Sequence, residues 1–231
     1  MTRRLIAAID TPDLDHARVL VRGIAPHCGL VKLGLEFFLR HGPAGYQAVI
    51  EGSGADVFLD LKLHDIPNTV AGAVRSLLPL APKLLTIHAG GGAKMVEAAA
   101  RAAAEAGEVR PKILAVTVLT SFDAAGLAET GVSGGTAQQV LRLARLALEA
   151  GADGLVCSPH EISILRDAYG AKPILVVPGI RPAGAPLGDQ VRVMTPEQAV
   201  AAGADYIVVG RPITEAADPA LAAAEIARSI Q

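Results

Sequence analysis

Residues 57–69 read Val57-Phe58-Leu59-Asp60-Leu61-Lys62-Leu63-His64-Asp65-Ile66-Pro67-Asn68-Thr69. The first half is an apolar run typical of a buried strand, and a helical candidate starts at Pro67. Strand side chains alternate between faces, so Asp60 and Lys62 are predicted to point the same way, with Asp65 just beyond the strand. Placing a cation between two carboxylates at the end of a buried strand is unfavourable, and folds tolerate it mainly where chemistry needs it. The segment therefore predicts a strand–helix unit that carries a functional charge cluster.

The rest of the chain repeats this unit. Near-continuous apolar strands are typical of a parallel sheet buried on both faces. Eight strand–helix pairs without a break in composition favour an α/β fold, a (β/α)8 TIM barrel that forms one domain over residues 1–231. A doubly wound open sheet is the alternative, because periodicity cannot show closure. The predicted strands are Leu5–Ile9, Leu30–Leu33, Val57–Lys62, Leu84–His88, Ile113–Leu119, Gly154–Cys157, Ile174–Val177 and Tyr206–Val209. The predicted helices are Asp13–Ala25, Pro43–Glu51, Pro67–Leu80, Ala93–Ala106, Ala137–Ala150, His160–Tyr169, Pro196–Ala202 and Ile213–Ser229.

Two local patterns concern the connections between these elements. The sequence Ala-Gly-Ala-Asp occurs at 150–153 and again at 202–205, where it predicts the same helix end with glycine in the left-handed conformation. The irregular stretch Arg181–Met194 contains two prolines and two glycines after Pro178-Gly179-Ile180. In a barrel this stretch would be a loop on the catalytic face, and long loops there are often lids.

Composition excludes several classes of partner. The chain has 231 residues, 51% of them hydrophobic, with a net charge of −2 and a pI near 6.3, so it presents no basic field for nucleic acid. The apolar stretch after Arg4 stops at Asp10, too short for a signal peptide, and no run reaches the ~18 residues of a membrane span. Cys28 and Cys157 are predicted to be small buried residues. We expect a cytoplasmic protein with no nucleic-acid or membrane partner.

Polar residues at the carboxyl ends of the strands would lie on the active face of a barrel. This set contains no cluster of His, Cys or carboxylates at metal-ligand spacing, so no metal is expected. Gly210-Arg211 before the last helix suits a phosphate. Other roles stay open: a helix cap for Asp10, a solvated charge for Lys32, a core histidine for His88, and a capped turn for Thr120 with Ser121. The set consists of Asp10, Lys32, Asp60, Lys62, Asp65, His88, Thr120, Ser158, Pro178–Arg181, Gly210 and Arg211.

At these residues the chain closely resembles the orotidine 5′-phosphate decarboxylase family. The most specific signature is the segment Asp60–Thr69, and the matching motifs fall on seven of the eight strand ends. Gly90 is a small departure, since a serine is expected after His88-Ala89. The other matching motifs are Ile9-Asp10, Val31-Lys32-Leu33-Gly34, Thr86-Ile87-His88-Ala89, Val118-Leu119-Thr120-Ser121, Pro178-Gly179-Ile180-Arg181-Pro182 and Val209-Gly210-Arg211-Pro212.

The resemblance implies an enzyme that converts orotidine 5′-phosphate to UMP and CO2 without a metal or a cofactor. Lys62 would donate the proton to pyrimidine C6, and Asp60 would lie beside the leaving carboxylate. Asp60 and Asp65 would favour the charged form of Lys62. Because the family counterparts of Asp65 and Thr69 reach into the neighbouring subunit's site, the resemblance implies a homodimer with shared active sites.

It also implies the residues that bind the nucleotide. Asp10 and Lys32 would hold the ribose hydroxyls, and Thr120 would contact the pyrimidine edge. The phosphate would be bound by Gln190, Arg211 and the Gly210 amide. Substrate contacts are further implied at Ile66, Thr69, Pro178 and Arg181.

Two other functions remain open at this point. A sister group of the superfamily carries the same Asp-x-Lys-x-x-Asp strand but uses Mg²⁺ on sugar phosphates, as decarboxylases or aldolases. Those enzymes are expected to have an acid where this chain has Lys32, which would repel Mg²⁺. A non-catalytic nucleotide-binding barrel is the second alternative, although binding alone does not require the charges of Asp60, Lys62 and Asp65.

Overall fold

Eight parallel strands close into a barrel, and their order around the barrel is their order in the chain. The computed structural model describes residues 4–182 and 194–231. Closure is completed by β1 and β8, which pair from Leu5 opposite Ile207 to Ala7 opposite Val209. The (β/α)8 prediction is therefore confirmed, and the open-sheet alternative is wrong. The strands are β1 (Leu5–Ile9), β2 (Leu30–Gly34), β3 (Val57–Leu63), β4 (Leu84–His88), β5 (Lys112–Val116), β6 (Gly154–Val156), β7 (Ile174–Val177) and β8 (Tyr206–Val209).

Helices surround the barrel and cover its outer face. Along each strand, alternate side chains point outward to the helices or inward to the barrel interior. The inward-pointing side chains form a hydrophobic cluster in the barrel interior. This cluster is separate from the larger hydrophobic cluster between the strands and the helices. Its members are Ile6, Ala8, Leu30, Phe58, Leu84, Leu114, Val176 and Val208. The helices are α1 (Leu14–Ile24), α2 (Leu35–Ile50), α3 (Pro67–Leu77), α4 (Ala93–Ala104), α5 (Ala124–Glu129), α6 (Thr136–Glu149), α7 (Ile162–Tyr169), α8 (Pro196–Ala202), α9 (Arg211–Thr214) and α10 (Pro219–Ser229).

The repeated Ala-Gly-Ala-Asp sequence has the structural role that the sequence predicts. Gly151 and Gly203 have φ angles of 95° and 113°, in the region that glycine adopts without strain. Each following aspartate accepts a backbone hydrogen bond and pairs with an arginine, at the end of the barrel opposite the strands' carboxyl ends. Asp153 binds the Ile113 amide and Arg110, and Asp205 binds the Leu175 amide and Arg166.

Several predicted boundaries were wrong. Helix α2 starts at Leu35, eight residues before the predicted start at Pro43, and bends at Gly42, whose φ is 57°. The predicted last helix is two helices, because Asp218 caps α10 through the Leu221 amide and Pro219 occupies its first turn. Helix α3 ends at Leu77, before Pro79, and α5 was not predicted at all. Strand β5 ends at Val116 because its neighbour β6 is only three residues long.

Two further predictions concern membrane-spanning segments and the two cysteines. In the part of the chain that the structure describes, no helix has the length and apolar character needed to cross a membrane. Cys28 and Cys157 are both buried, as predicted.

Candidate active site

The carboxyl ends of the strands surround a cavity of about 470 Å³. A cavity that combines an apolar wall with convergent polar groups is typical of a small-molecule site. The apolar part of its wall comes from the barrel interior and the strand ends, including Phe58, Val116 and Val208. Ten of the predicted strand-end residues line it: Asp10, Lys32, Asp60, Lys62, Thr120, Pro178, Gly179, Arg181, Gly210 and Arg211.

Four of these residues form a row of alternating charges. The Lys62 Nζ atom lies 2.8 Å from Oδ2 of Asp60, and the Lys32 Nζ atom lies 3.7 Å from the same oxygen. Lys32 also binds Oδ1 of Asp10 at 3.0 Å. The side chains of Asp60 and Lys32 are each only 12% exposed, whereas that of Asp10 is 60% exposed. Burying these charges is tolerable because each has an opposite charge beside it.

The environment of Asp60 keeps it ionised. Burial by itself raises the pKa of this carboxyl, but the charges of Lys32 and Lys62 and the hydrogen bonds from Lys62 and Thr86 outweigh burial and hold the pKa below its ordinary value of 3.8. Asp60 is therefore a fixed negative charge in the cavity wall at neutral pH.

The backbone at Lys62 departs from a regular strand. Strands β3 and β4 pair at Leu59 opposite Leu85 and next at Leu63 opposite Ile87, so β3 uses four residues where β4 uses two. Lys62 lies within this bulge with a φ of 47°. For a residue with a side chain, a left-handed conformation costs about 1–2 kcal/mol. The sequence correctly placed Asp60 and Lys62 on one face, but the bulge, and not simple alternation, brings Lys62 there.

Asp65 lies just beyond β3, as the sequence predicts, but it forms no ion pair with Lys62 of its own chain. Within one chain, the carboxylate of Asp60 lies between Lys32 and Lys62. The exposed Asp65 carboxylate accepts a hydrogen bond from the Ile66 amide at 2.7 Å and forms no ion pair with the described residues of its own chain. Ile66 and Thr69 are also exposed, and none of the three is among the described residues that line the cavity.

The segment after β7 forms another side of the cavity. Gly179 has a φ of 78°, which turns the chain between Pro178 and the buried Arg181. The Arg181 amide donates to the Met194 carbonyl at 3.0 Å, so the two ends of the predicted lid lie side by side. Gln190, and with it most of that lid, falls outside the described residues.

His88 lies beside the site but does not line the cavity. Its ring stacks on His64 with 5.1 Å between centroids, and its Nδ1 accepts a hydrogen bond from the Gly90 amide at 3.1 Å. Burial first, and then the charges of His64 and Lys62, lower the pKa of His88 below 6.5. These contacts favour a structural role for His88, as a core histidine, over a role in the cavity. A Cβ on Gly90 would lie 3.0 Å from His88 Nδ1, so the departure at Gly90 gives the ring room.

Two further residues of the site were missed at the sequence level. Gly34 faces the charge row, and a Cβ there would lie 3.0 Å from Lys32 Nζ and 3.5 Å from Asp10 Oδ1. Thr86 binds both Asp60 and Lys62. Both lie within motifs quoted above. Thr86 could have been identified from the sequence because its side chain is predicted to point into the barrel, next to the charged end of β3.

Over the described ranges, no group of three or more His, Cys, Asp or Glu residues could hold a metal ion.

The chain is similar to known proteins along nearly its whole length. The chain matches the orotidine 5′-phosphate decarboxylase / HUMPS family over residues 3–226. It is 55% identical over 229 residues to orotidine 5′-phosphate decarboxylase of Anaeromyxobacter sp. (strain K), covering 99% of both chains. It is 52% identical over 231 residues to the enzyme of that name from Thermobifida fusca (strain YX), covering 100% of this chain and 97% of the other. Its structure is similar to that of orotidine 5′-phosphate decarboxylase from Lactobacillus acidophilus, with a TM-score of 0.88, 37% identity and 99% coverage of both chains. The chain therefore belongs to the orotidine 5′-phosphate decarboxylase / HUMPS family.

Proposed function

We propose that this chain converts orotidine 5′-phosphate to UMP and CO2 as a step of pyrimidine biosynthesis, by electrostatic catalysis without a metal or an organic cofactor. The family and the shared name of its relatives support the reaction. The observation that carries the mechanism is the row of charges Asp10–Lys32–Asp60–Lys62 at one side of an otherwise largely apolar cavity.

The chemistry requires charge stabilisation at one carbon. When the bond from C6 to the carboxylate breaks, the electron pair remains in an in-plane orbital of C6 that cannot conjugate with the ring carbonyls. An ammonium aimed at C6 stabilises this pair and then donates a proton to it, which forms UMP. At an effective dielectric near 20, unit charges ~4 Å apart interact by about 4 kcal/mol, so fixed charges are a sizeable contribution. Lys62 is the proton donor in this proposal, and it regains its proton from solvent.

Asp60 acts on the group that leaves. Its ionised carboxylate lies 2.8 Å from Lys62 Nζ, so a substrate with C6 against Lys62 would have its carboxylate close to Asp60. The repulsion between the two carboxylates is relieved as CO2 departs.

The remaining cavity residues bind the nucleotide in this proposal. Asp10 and Lys32 would hold the ribose hydroxyls, with their 3.0 Å contact fixing both side chains. Thr120 and Pro178 would contact the pyrimidine. Gly210, Arg211, Arg181 and Gln190 would bind the phosphate, whose binding energy helps to bring the two carboxylates together.

A homodimer with shared active sites is part of the proposal. Asp65, Ile66 and Thr69 are exposed and lie away from the described cavity wall of their own chain, so a catalytic role for them requires the cavity of a second chain. The side chain of Ile66 is 68% exposed in the single chain, so it is available for contact with a second copy.

The proposal also covers domain organisation and location. Residues 1–231 would form a single barrel domain, since the eight strands belong to one closed sheet and the family match spans residues 3–226. We place the protein in the cytoplasm because its charged nucleotide substrate and product do not cross membranes unaided. The expected partners are this nucleotide and a second copy of the chain, without nucleic acid or membrane.

The deciding experiment is incubation of the protein with carboxyl-labelled orotidine 5′-phosphate. We expect release of labelled CO2 in step with the change in pyrimidine absorbance. The Lys62→Ala variant serves as the blank for contaminating enzymes. Nucleotide binding without CO2 release would instead identify a non-catalytic nucleotide-binding barrel.

The same assay tests the Mg²⁺-dependent sister activity. Lys32 Nζ lies between the carboxylates of Asp10 and Asp60, and its charge would repel Mg²⁺. We expect full decarboxylation after treatment with EDTA. Activity that disappears with EDTA and returns with Mg²⁺ would favour the sister group.

A further inference from the structure

The bulge between β3 and β4 leaves a part of the β3 backbone without regular pairing. The ladder passes from Leu59 opposite Leu85 directly to Leu63 opposite Ile87, so residues 60–62 have no Cα partner on β4. Lys62 adopts its left-handed conformation at this place. The Lys62 amide therefore binds a side chain of β4. Thr86 Oγ1 accepts a hydrogen bond from this amide at 2.8 Å.

The direction of the Thr86 hydroxyl follows from this contact. Because its oxygen accepts from the Lys62 amide, its hydrogen is available for Oδ1 of Asp60, which lies 2.9 Å away. The other oxygen of Asp60, Oδ2, accepts from Lys62 Nζ at 2.8 Å. The bonds form a closed ring that runs from the Lys62 backbone through Thr86 and Asp60 to the Lys62 side chain.

Thr86 is fully buried and is not among the residues that line the cavity. It therefore acts on a bound nucleotide only through Asp60 and Lys62. A hydroxyl is suited to this place because it accepts one bond and donates another at the same time. Valine has nearly the same shape but would leave the Lys62 amide hydrogen and the buried Oδ1 of Asp60 without this partner.

We propose that Thr86 is a positioning residue for the decarboxylation: its hydroxyl fixes both the rotation of the Asp60 carboxylate and the backbone conformation that aims Lys62 into the cavity. The expected effect of Thr86 on the reaction rate rests on the proposed function. The expected effect on the geometry of Asp60 and Lys62 rests on the hydrogen-bonded ring alone.

The kinetic test compares Thr86→Val, Thr86→Ser and wild type. Since displacements of about 1 Å can cost about a hundredfold in rate, we expect Thr86→Val to lower kcat at least about tenfold. The affinity for UMP should stay within about threefold, because Thr86 does not line the cavity. Thr86→Ser keeps the hydroxyl and should recover most of the lost rate.

A pH profile separates positioning from simple stability. The Thr86 bond favours the ionised form of Asp60, so Thr86→Val should move the acid limb of kcat to higher pH and Thr86→Ser should not. Thr117→Val is the matched control: Thr117 is a buried threonine just after the neighbouring strand β5, and its hydroxyl donates to the Val156 carbonyl at 3.0 Å. We expect this control to lose stability with kcat and its pH profile unchanged.

A crystal structure of Thr86→Val provides a readout that does not depend on activity. Lys62 should leave the left-handed region, or the Asp60 carboxylate should rotate away from Lys62 Nζ. An unchanged geometry, or a kcat within about threefold of wild type, would overturn the proposal. So would a Thr86→Ser variant as slow as Thr86→Val. If wild type itself released no CO2, the proposed decarboxylation would fail and the crystal structure would still decide the role of Thr86.

Discussion

Lys32 and Lys62 share one carboxylate oxygen: their ammonium groups lie 3.7 Å and 2.8 Å from Oδ2 of Asp60. The two lysines come from neighbouring strands and are held close together only because this carboxylate lies between them. Lys32 has a second partner in Asp10, whereas Asp60 is the one ion-pair partner of Lys62 among the described residues. Lys32 therefore has a carboxylate on two sides and Lys62 has one such partner among the described residues, which supports the proposal that Lys62 is the proton donor.

The first prediction concerns proton donation by Lys62. The Lys62→Ala variant should lose turnover by at least about a thousandfold, because both the positive charge at C6 and the proton source are removed. Binding of UMP, measured by calorimetry, should remain detectable. Lys83→Ala is the control, since Lys83 lies before β4 at the opposite end of the barrel and its side chain is 62% exposed. Appreciable decarboxylation by Lys62→Ala would refute the assignment.

The second prediction concerns Arg211, an exposed residue that lines the cavity. Loss of its charge-assisted bonds to the phosphate should lower kcat/KM of Arg211→Ala by about a hundredfold or more, with the charge row intact. The effect should vanish with orotidine, which lacks the phosphate. Arg101→Ala, on the exposed face of α4, should behave as wild type. A loss below about tenfold with the full substrate would count against a phosphate role.

The third prediction tests whether Asp65 acts in the partner subunit. Asp65→Ala and Lys62→Ala should each be inactive, and mixing them should restore activity because half of the exchanged dimers contain one intact site. At equal amounts and random exchange, about a quarter of wild-type activity is expected.

The matched control for this experiment is a mixture of Asp60→Ala and Lys62→Ala. Both residues belong to the same cavity, so every site of the hybrid dimer carries one of the two changes and no activity should return. If verified subunit exchange gave no recovery with Asp65→Ala either, Asp65 would not act across an interface.

The fourth prediction concerns stability against acid. The folded state lowers the pKa of His88 below 6.5, so it takes up a proton less readily than the unfolded chain. The associated stability is complete above about pH 6.5 and is lost as the pH falls below that value, by at most about 1.4 kcal/mol per pH unit. Replacing His88 with Asn should flatten the pH dependence of the free energy of unfolding, measured in urea between pH 7.5 and 5.5.

The exposed His160 provides the comparison for this measurement. His160→Asn should keep the wild-type slope of unfolding free energy against pH. An equal slope in His88→Asn and wild type would show that His88 does not contribute to the acid sensitivity.

The strand–helix repeat and most of the cavity wall could be predicted from the amino-acid sequence alone. Apolar runs such as Leu5–Ile9 reveal strands because burial on both faces of a parallel sheet requires them. The charged residues Asp10, Lys32, Asp60, Lys62 and Arg211 could be placed on one face because the carboxyl ends of parallel strands meet there. The helix ends at Gly151 and Gly203 are equally local, since they depend on one residue's φ angle.

How these residues contact one another depends on the assembled barrel. The pairing of β1 with β8, the bulge at Lys62 and the bonds of Thr86 all depend on the register between strands. Register is set by contacts between residues far apart in the chain, 26 positions in the case of Thr86 and Asp60. A periodic pattern reports which face of its own strand a residue occupies, and carries no information about the residue opposite. For that reason the sequence shows Lys62 between Asp60 and Asp65 along the chain, whereas the fold is needed to place Lys32 on the other side of Asp60.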